Sequence, residues 1–265
     1  KFASVETRNF FQTLQSLCSA HFHDEPKLEH QLRSLALLSF SNMSKSDSLL
    51  FSLDYTIKCA TIALDVVRGQ TIQNGHADAQ GLRQILCATL FSRVGILRGL
   101  FNEDKDPSFL VSNGQMVTLP FTQTDSALWQ HCTNRSCTYI RTKLGDVPYL
   151  DIELLAEAIQ CADFTKTMPA RNSKPLFNIT RACQIIGLMS NSDPNRTTIK
   201  TFLSAREGGV LERFGFKTLD QFRAEYKRYF WDNLFTEITD VIPLLEETDS
   251  GFDRMMDIYQ QSQEK

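Results

Sequence analysis

The chain has 265 residues, with 28 Lys and Arg against 31 Asp and Glu and 42% apolar side chains. This is the composition of a globular protein able to bury a core, and it excludes collagen-like, low-complexity and wholly disordered chains. The balanced charge argues against a nucleic-acid binder, which carries a basic excess. No run approaches the ~20 apolar residues of a membrane span; the most apolar stretch, 86–101, is cut by Arg93 and Arg98.

Seven cysteines, Cys18, Cys59, Cys87, Cys132, Cys137, Cys161 and Cys183, are odd in number and never spaced Cys-x-x-Cys. Most sit in apolar helical stretches, so buried free thiols and a reducing, cytoplasmic setting are expected. The opening residues lack a signal peptide's apolar centre, and the start at Lys1 rather than Met points to a trimmed N-terminus.

Helical periodicity runs through the chain. Phe10, Leu14, Leu17 and His21 share one face, and Leu28, Leu32, Leu35 and Leu38 another, with Glu25–Pro26 between. A helix over 46–68 is expected to close on Gly69. Asp78 is placed to cap a helix to about residue 101, and Thr124 or Asp125 one to about 144. Asp151 opens a helix with acids in its first turn, as the macrodipole favours. Further helices are expected over 175–191 and 197–207, the latter closed by Gly208–Gly209. Thr218 and Gln221 form a capping box ahead of an aromatic face of Phe222, Tyr226, Tyr229 and Phe230. Pro243 is expected to kink or end that helix, and the last helix covers 249–260. The segment 102–123 breaks the pattern and reads as one long loop, with an extended piece at Val117, Thr118 and Leu119. No internal repeat is present, and no composition shift marks a border, so a single all-α domain over 1–265 is expected.

Gly-rich phosphate loops, His-Glu-x-x-His and Gly-x-Ser-x-Gly are absent. His21, His23 and His30 lie near Asp24 and Glu25, residue types that suit zinc or manganese, although the cluster spans a helix end and a turn, where solvated polar residues are usual. His76 and His131 stand apart.

The stretch 86–100 reads Leu-Cys-Ala-Thr-Leu-Phe-Ser-Arg-Val-Gly-Ile-Leu-Arg-Gly-Leu, a largely apolar helix holding a polar Ser92–Arg93 pair. Here the sequence resembles a bacterial branch of the HD-domain superfamily of metal-dependent phosphohydrolases, which has Leu-x-His-Asp-Ile-Gly-Tyr-x-Arg-Gly at this point. Further segments are similar in the same order over about 40–235: Lys45-Ser-Asp with the helix after it, Val117 to Pro120, Thr124–Asp125, Arg181-Ala-Cys-Gln-Ile-Ile-Gly, Phe214-Gly-Phe and Tyr229-Phe-Trp. The resemblance implies an HD-like helical bundle. It also implies a divalent ion held by a His, an adjacent His-Asp pair and a distant Asp, ligands able to activate a water. At those positions this chain has Tyr55, Ser92, Arg93 and Gln184. None is a good divalent ligand, and Arg93 repels a cation.

Arg98, Arg135, Arg141 and Arg181 do match the family, and with Arg93 they outline a candidate basic pocket for a phosphate or carboxylate. The competing reading pairs these arginines with acids such as Asp54 and Asp163 inside a polar core. The leading expectation is a catalytically degenerate HD-like domain, a ligand-binding or regulatory module taking an anionic small molecule, with no cofactor, no metal, no nucleic acid and no membrane. One alternative is a phosphohydrolase with a rearranged metal site built from His21, His23, Asp24 or His131. The other is an interaction scaffold; the aromatic helix Phe222 to Trp231 could serve it as a homodimer interface, although core packing is the commoner explanation of such a face.

Overall fold

The computed structural model describes residues 4–112, 114–166, 174–190 and 193–263. Its organising element is a helix buried on nearly every side. The run 53–74 is apolar around most of its circumference, so it is stable only if other helices surround it. This helix, α3 (Leu53–Asn74), packs against α1 (Val5–His21), α2 (Leu28–Met43), α4 (Ala79–Phe91), α7 (Pro175–Met189), α10 (Ile242–Glu246) and α11 (Asp249–Gln263). On the far side of α4 and α7 lies α6 (Ile152–Cys161), packed on α5 (Cys132–Leu144). Two more helices, α8 (Pro194–Glu207) and α9 (Leu219–Tyr229), pack on each other. The described residues thus form an all-α protein, whose main apolar cluster includes residues from Phe10 to Ile258. None of its described helices is long and apolar enough to cross a membrane.

Local capping chemistry sets several boundaries. Asp78, Asp151 and Thr218 accept from the backbone N–H groups of Gly81, Leu154 and Gln221 at 2.8, 3.0 and 3.2 Å, as expected. Gln221 returns a bond to the Lys217 amide, one residue outside the usual box. Tertiary contacts move other boundaries. The helix expected over 46–68 begins at Leu53, capped by Ser52, because Asp47 and Ser48 bond instead to residues near 125. It continues past Gly69 to Gly75, whose φ of 68° ends it. Gly69 lies inside the helix, where the Leu244 carbonyl of the α10 crossing leaves no room for a Cβ.

The helix expected to reach residue 101 stops at Phe91, followed by a 3₁₀ turn over Val94–Ile96. This turn brings the Gly95 amide onto Ser136 Oγ at 2.9 Å. Thr124 caps a 3₁₀ turn, Asp125–His131, before α5 begins. The helix expected over 175–191 runs Pro175–Met189, and residue 191 lies outside the described residues. That expected from 197 starts at Pro194, capped by Asp193. Pro243 neither kinks nor ends α9; it sits in the first turn of α10, where a missing N–H costs nothing. The last helix continues to Gln263.

The expected loop contains a hairpin of β1 (Ser108–Ser112) and β2 (Gln115–Thr118), antiparallel, with Phe109 opposite Val117. Phe109 and Val111 pack on Leu128 in a small satellite core. The aromatic face of α9 is internal: Phe222 stacks on Tyr226 and meets Phe202, Phe214 and Phe216 edge-on or tilted. Those rings are therefore core, not the expected homodimer surface. A polar clamp holds α11: Ser250 Oγ and Arg254 Nε donate to the buried Asp65 carboxylate of α3 at 2.7 and 3.2 Å.

Helix propensity favours Gly→Ala inside a helix by about 1 kcal/mol. At Gly69 the sign should reverse, because the added methyl meets backbone that cannot move aside. Urea denaturation of Gly69→Ala should show a loss of about 1–3 kcal/mol; a gain would mean that α3 and α10 do not approach this closely.

Candidate functional site

Three elements bring the expected site positions together. The Ser52 cap places Tyr55 one turn into α3, Ser92 ends α4 with a backbone that is still helical while Arg93 leaves that geometry, and Gln184 comes from the middle of α7. Tyr55 Oη donates to the Gln184 carbonyl at 2.8 Å, and Arg93 Nε donates to Gln184 Oε1 at 3.2 Å. Arg93 Nη2 donates to the Ala162 carbonyl at 3.0 Å. Ser92 folds back on its own helix, its hydroxyl donating to Ala88. The guanidinium of Arg93, a residue 3% exposed, lies 4.8 Å from the Phe51 ring centre and 5.0 Å from that of Phe164. Two aromatic faces thus stand where solvent would otherwise be, and each attracts a cation. Nη1 makes no hydrogen bond.

No Asp or Glu among the described residues forms an ion pair with Arg93. Asp54, one expected partner, is on the surface. Asp163, the other, is 1% exposed and acts through space. Its carboxylate accepts from Thr165 Oγ1 at 2.6 Å and pairs with Lys166 Nζ at 3.0 Å. Burial works to raise its pKa, but Arg93, Thr165 and Lys166 outweigh this and hold it below the usual range. Burial likewise opposes the charge on Arg93, yet Tyr55, Cys132 and Asp163 leave its pKa raised. Of these three only Asp163 is ionised near neutral pH, because burial pushes the Tyr55 phenol and the Cys132 thiol upward.

The other four arginines do not converge into an open basic pocket. Arg135 is enclosed with the side chain of Asp104, Nη2 to Oδ2 at 2.8 Å. Nη1 also donates to Asp104 Oδ1 at 3.3 Å, and the other donors reach the carbonyls of Gly95, Leu97 and Leu110, so all five N–H groups are satisfied. Arg181 pairs with Glu237 and donates to the carbonyls of Cys161, Asp163 and Lys166. Arg141 is half-exposed and pairs with Glu153 at 2.6 Å. Arg98 bridges Asp47 and Asp125, two acids whose carboxylates accept each other's backbone N–H. Burial and the Asp47 charge raise the Asp125 pKa. These four guanidiniums fasten chain segments and each already has a carboxylate, the kind of acid pairing that the competing reading expects, with other acids than Asp54 and Asp163.

The rearranged metal site gains no ligand cluster either. His23, Asp24 and His30 are exposed around the turn between α1 and α2, while Glu25 pairs with Arg83 at 2.7 Å. Among the described residues no three His, Cys, Asp or Glu side chains are grouped to hold a metal ion. Burial, with the charges of Arg135 and Lys166, lowers the His131 pKa. All seven cysteines are free thiols, and burial pushes that of Cys59 up to about 12, which leaves it a poor nucleophile. Sequence reasoning missed Phe51, Phe164 and Asp104. The first two look like ordinary core aromatics, and Asp104 is one of several acids in an irregular segment.

The model of the Npun_R2479-like family matches residues 7–264, so the chain belongs to that family. No curated protein and no solved structure matches it.

Asp104 makes the charged core testable. Burial raises its pKa, but Arg135 and the amides of Phe101 and Leu110 more than reverse that. A depressed native pKa adds stability that is complete above the unfolded value, about 3.9, and is lost as pH falls through the native one. Arg135→Met should cost about 3 kcal/mol at pH 7, since it strands a buried carboxylate. In urea melts that deficit should shrink below about pH 4, and Asp104→Leu added to Arg135→Met should recover part of it. A deficit independent of pH would assign the loss to packing alone.

Proposed function

We propose that this member of the family is a catalytically silent, HD-like helical domain, a binding or regulatory module in place of a hydrolase. The observation that carries the reading is the Arg93 guanidinium, held between Phe51 and Phe164 and bonded to Gln184. It occupies the place where the HD resemblance sets a divalent ion. Coulomb's law gives the consequence. A dication about 4 Å from a fixed positive charge, at an effective dielectric near 20, meets a repulsion of about 8 kcal/mol. The same argument accounts for the neutral neighbours: Tyr55, Ser92 and Gln184 offer hydroxyl and amide groups, which suit a guanidinium and bind divalent ions poorly. Arginine supplies a permanent charge in the fixed geometry that a metal would have given, without needing to be loaded.

On this reading an anion is not captured by five converging arginines. Asp163 and the two rings already hold the Arg93 charge. Seven free thiols, most of them buried, fit a reducing, cytoplasmic setting.

Purified protein given manganese or nickel should show no chelator-sensitive hydrolysis of bis(p-nitrophenyl) phosphate or nucleotides. Turnover abolished by a chelator, and by His131→Ala, would overturn the proposal. Arg93→Ala should lower the melting temperature equally with and without millimolar phosphate. Stabilisation of the wild type by phosphate, absent in Arg93→Ala, would instead make Arg93 an anion-binding residue.

A further inference from the structure

Four helices leave a gap where α7 ends and α8 begins. Between the last turn of α7, the first turns of α8, the middle of α9 and α11 lies a cavity of about 220 Å³ that opens to the surface. Its lining is divided by element. α7 and α11 contribute apolar side chains alone, Leu188, Met189 and Ile258, and Trp231, just beyond α9, adds to them. α8 contributes polar side chains of its first two turns, Thr198 among them. From α9 come two cations, Arg223 and Lys227. No Asp or Glu among the described residues lines the cavity.

The two cations stand four residues apart, so they share one face of α9, and like charges at that spacing weaken a helix. Arg228 of the same helix has an acid one turn on, Asp232, at 3.3 Å. Arg223 has no such partner: it is exposed and makes no ion pair or hydrogen bond with any described residue. Lys227 is half-buried in the wall. More positive charge lies behind the cavity. Lys58 Nζ donates at 2.9 Å to the carbonyl of Ser190, the residue after Met189, and burial, with the charges of Arg254 and Lys200, lowers its pKa. Asp193, the acid that precedes the α8 wall, is engaged in capping the Arg196 amide at 2.9 Å.

This division of the walls selects the ligand. A cation would be repelled from the α9 side and would meet no carboxylate. An uncharged apolar compound would suit Leu188, Met189, Ile258 and Trp231 but would gain nothing from Arg223. A small inorganic anion would gain only a solvated charge, which water screens. A compound with an apolar body and one anionic end engages both sides at once. Its body leaves water for the apolar wall, and its carboxylate matches the two-pronged geometry of a guanidinium.

We propose that this cavity binds a small organic anion, an apolar ring or branched chain carrying one carboxylate, with its body against Leu188, Met189, Ile258 and Trp231 and its charge on Arg223 and Lys227. None of Tyr55, Ser92, Arg93 and Gln184 lines the cavity, and the proposal stands whether or not the Arg93 reading holds.

Equilibrium dialysis of the protein against phenylacetate, 2-phenylacetamide and acetate tests it, because the three separate body from charge. Phenylacetate should bind saturably, with a dissociation constant roughly tenfold or more below that of the uncharged amide. Acetate should bind far more weakly than either. Arg223→Glu, a change at an exposed position that sets a carboxylate beside Lys227, should bind phenylacetate no better than the amide. Thr198→Phe, which adds a ring to the wall and keeps both cations, should bind neither, and Arg223→Glu serves as the test if Thr198→Phe does not fold. No saturable binding of phenylacetate by the wild type would overturn the proposal. So would equal binding of phenylacetate and its amide, acetate binding as tight as that of phenylacetate, or a preference for phenylacetate that survives Arg223→Glu.

Discussion

A guanidinium cannot shed its proton, so each one buried in this helical core must be given acceptors. That requirement shapes the parts of the chain that are not helix. Arg135 takes three backbone carbonyls from 95–110 and the Asp104 carboxylate, drawing an irregular stretch tightly over α5. Arg181 does the same for 161–166, holding the exit of α6 against α7. Arg93 collects the Ala162 carbonyl beside that segment and the side chain of Gln184. Helices satisfy their own backbones and leave nothing to offer a buried cation; loops have free carbonyls. Arg93, Arg135 and Arg181 and the irregular segments therefore complete one another, and the apolar helices supply the low-dielectric surroundings that make each contact strong.

This explains what was legible in the sequence and what was not. Asp78, Asp151 and Thr218 mark helix starts correctly because capping is chemistry among residues three apart. Gly69 and Gly75 are both placed to close this helix; Gly69 instead lies inside it against Leu244, 175 positions later, and Gly75 ends it. Asp47 and Ser48 look like the start of a helix but bond across 78 positions to Asp125 and Ser126. The hairpin lies in a segment whose Asp and Pro residues read as loop, and its two short strands form a sheet with no further strand among the described residues.

The candidate site divides in the same way. Tyr55, Ser92, Arg93 and Gln184 form a set by resemblance; of these Tyr55 and Arg93 both bond Gln184, from positions up to 129 apart, while the Ser92 hydroxyl bonds within its own helix. How each arginine is neutralised was beyond reach, because Asp104 and Glu237 are distinguished from other surface acids only by where the folded chain carries them.

The clamp on Asp65 has a consequence for how the chain acquires its structure. This carboxylate belongs to the central helix, yet Ser250 and Arg254 reach it from 185 and 189 positions later. During synthesis from the N-terminus, α3 is made early and carries a charge within an otherwise apolar surface. Its partners leave the ribosome only after nearly all the preceding chain has emerged. Until then α3 has neither a finished coat of helices nor a counter-ion for Asp65, and full burial of that face is disfavoured. The nascent chain is thus kept from closing prematurely around its central helix, at the expense of a long interval in which apolar surface is open to other chains. Arrival of α11 supplies a covering layer and the missing charge in one step, so the central helix is finished only after Ser250 and Arg254 have been made.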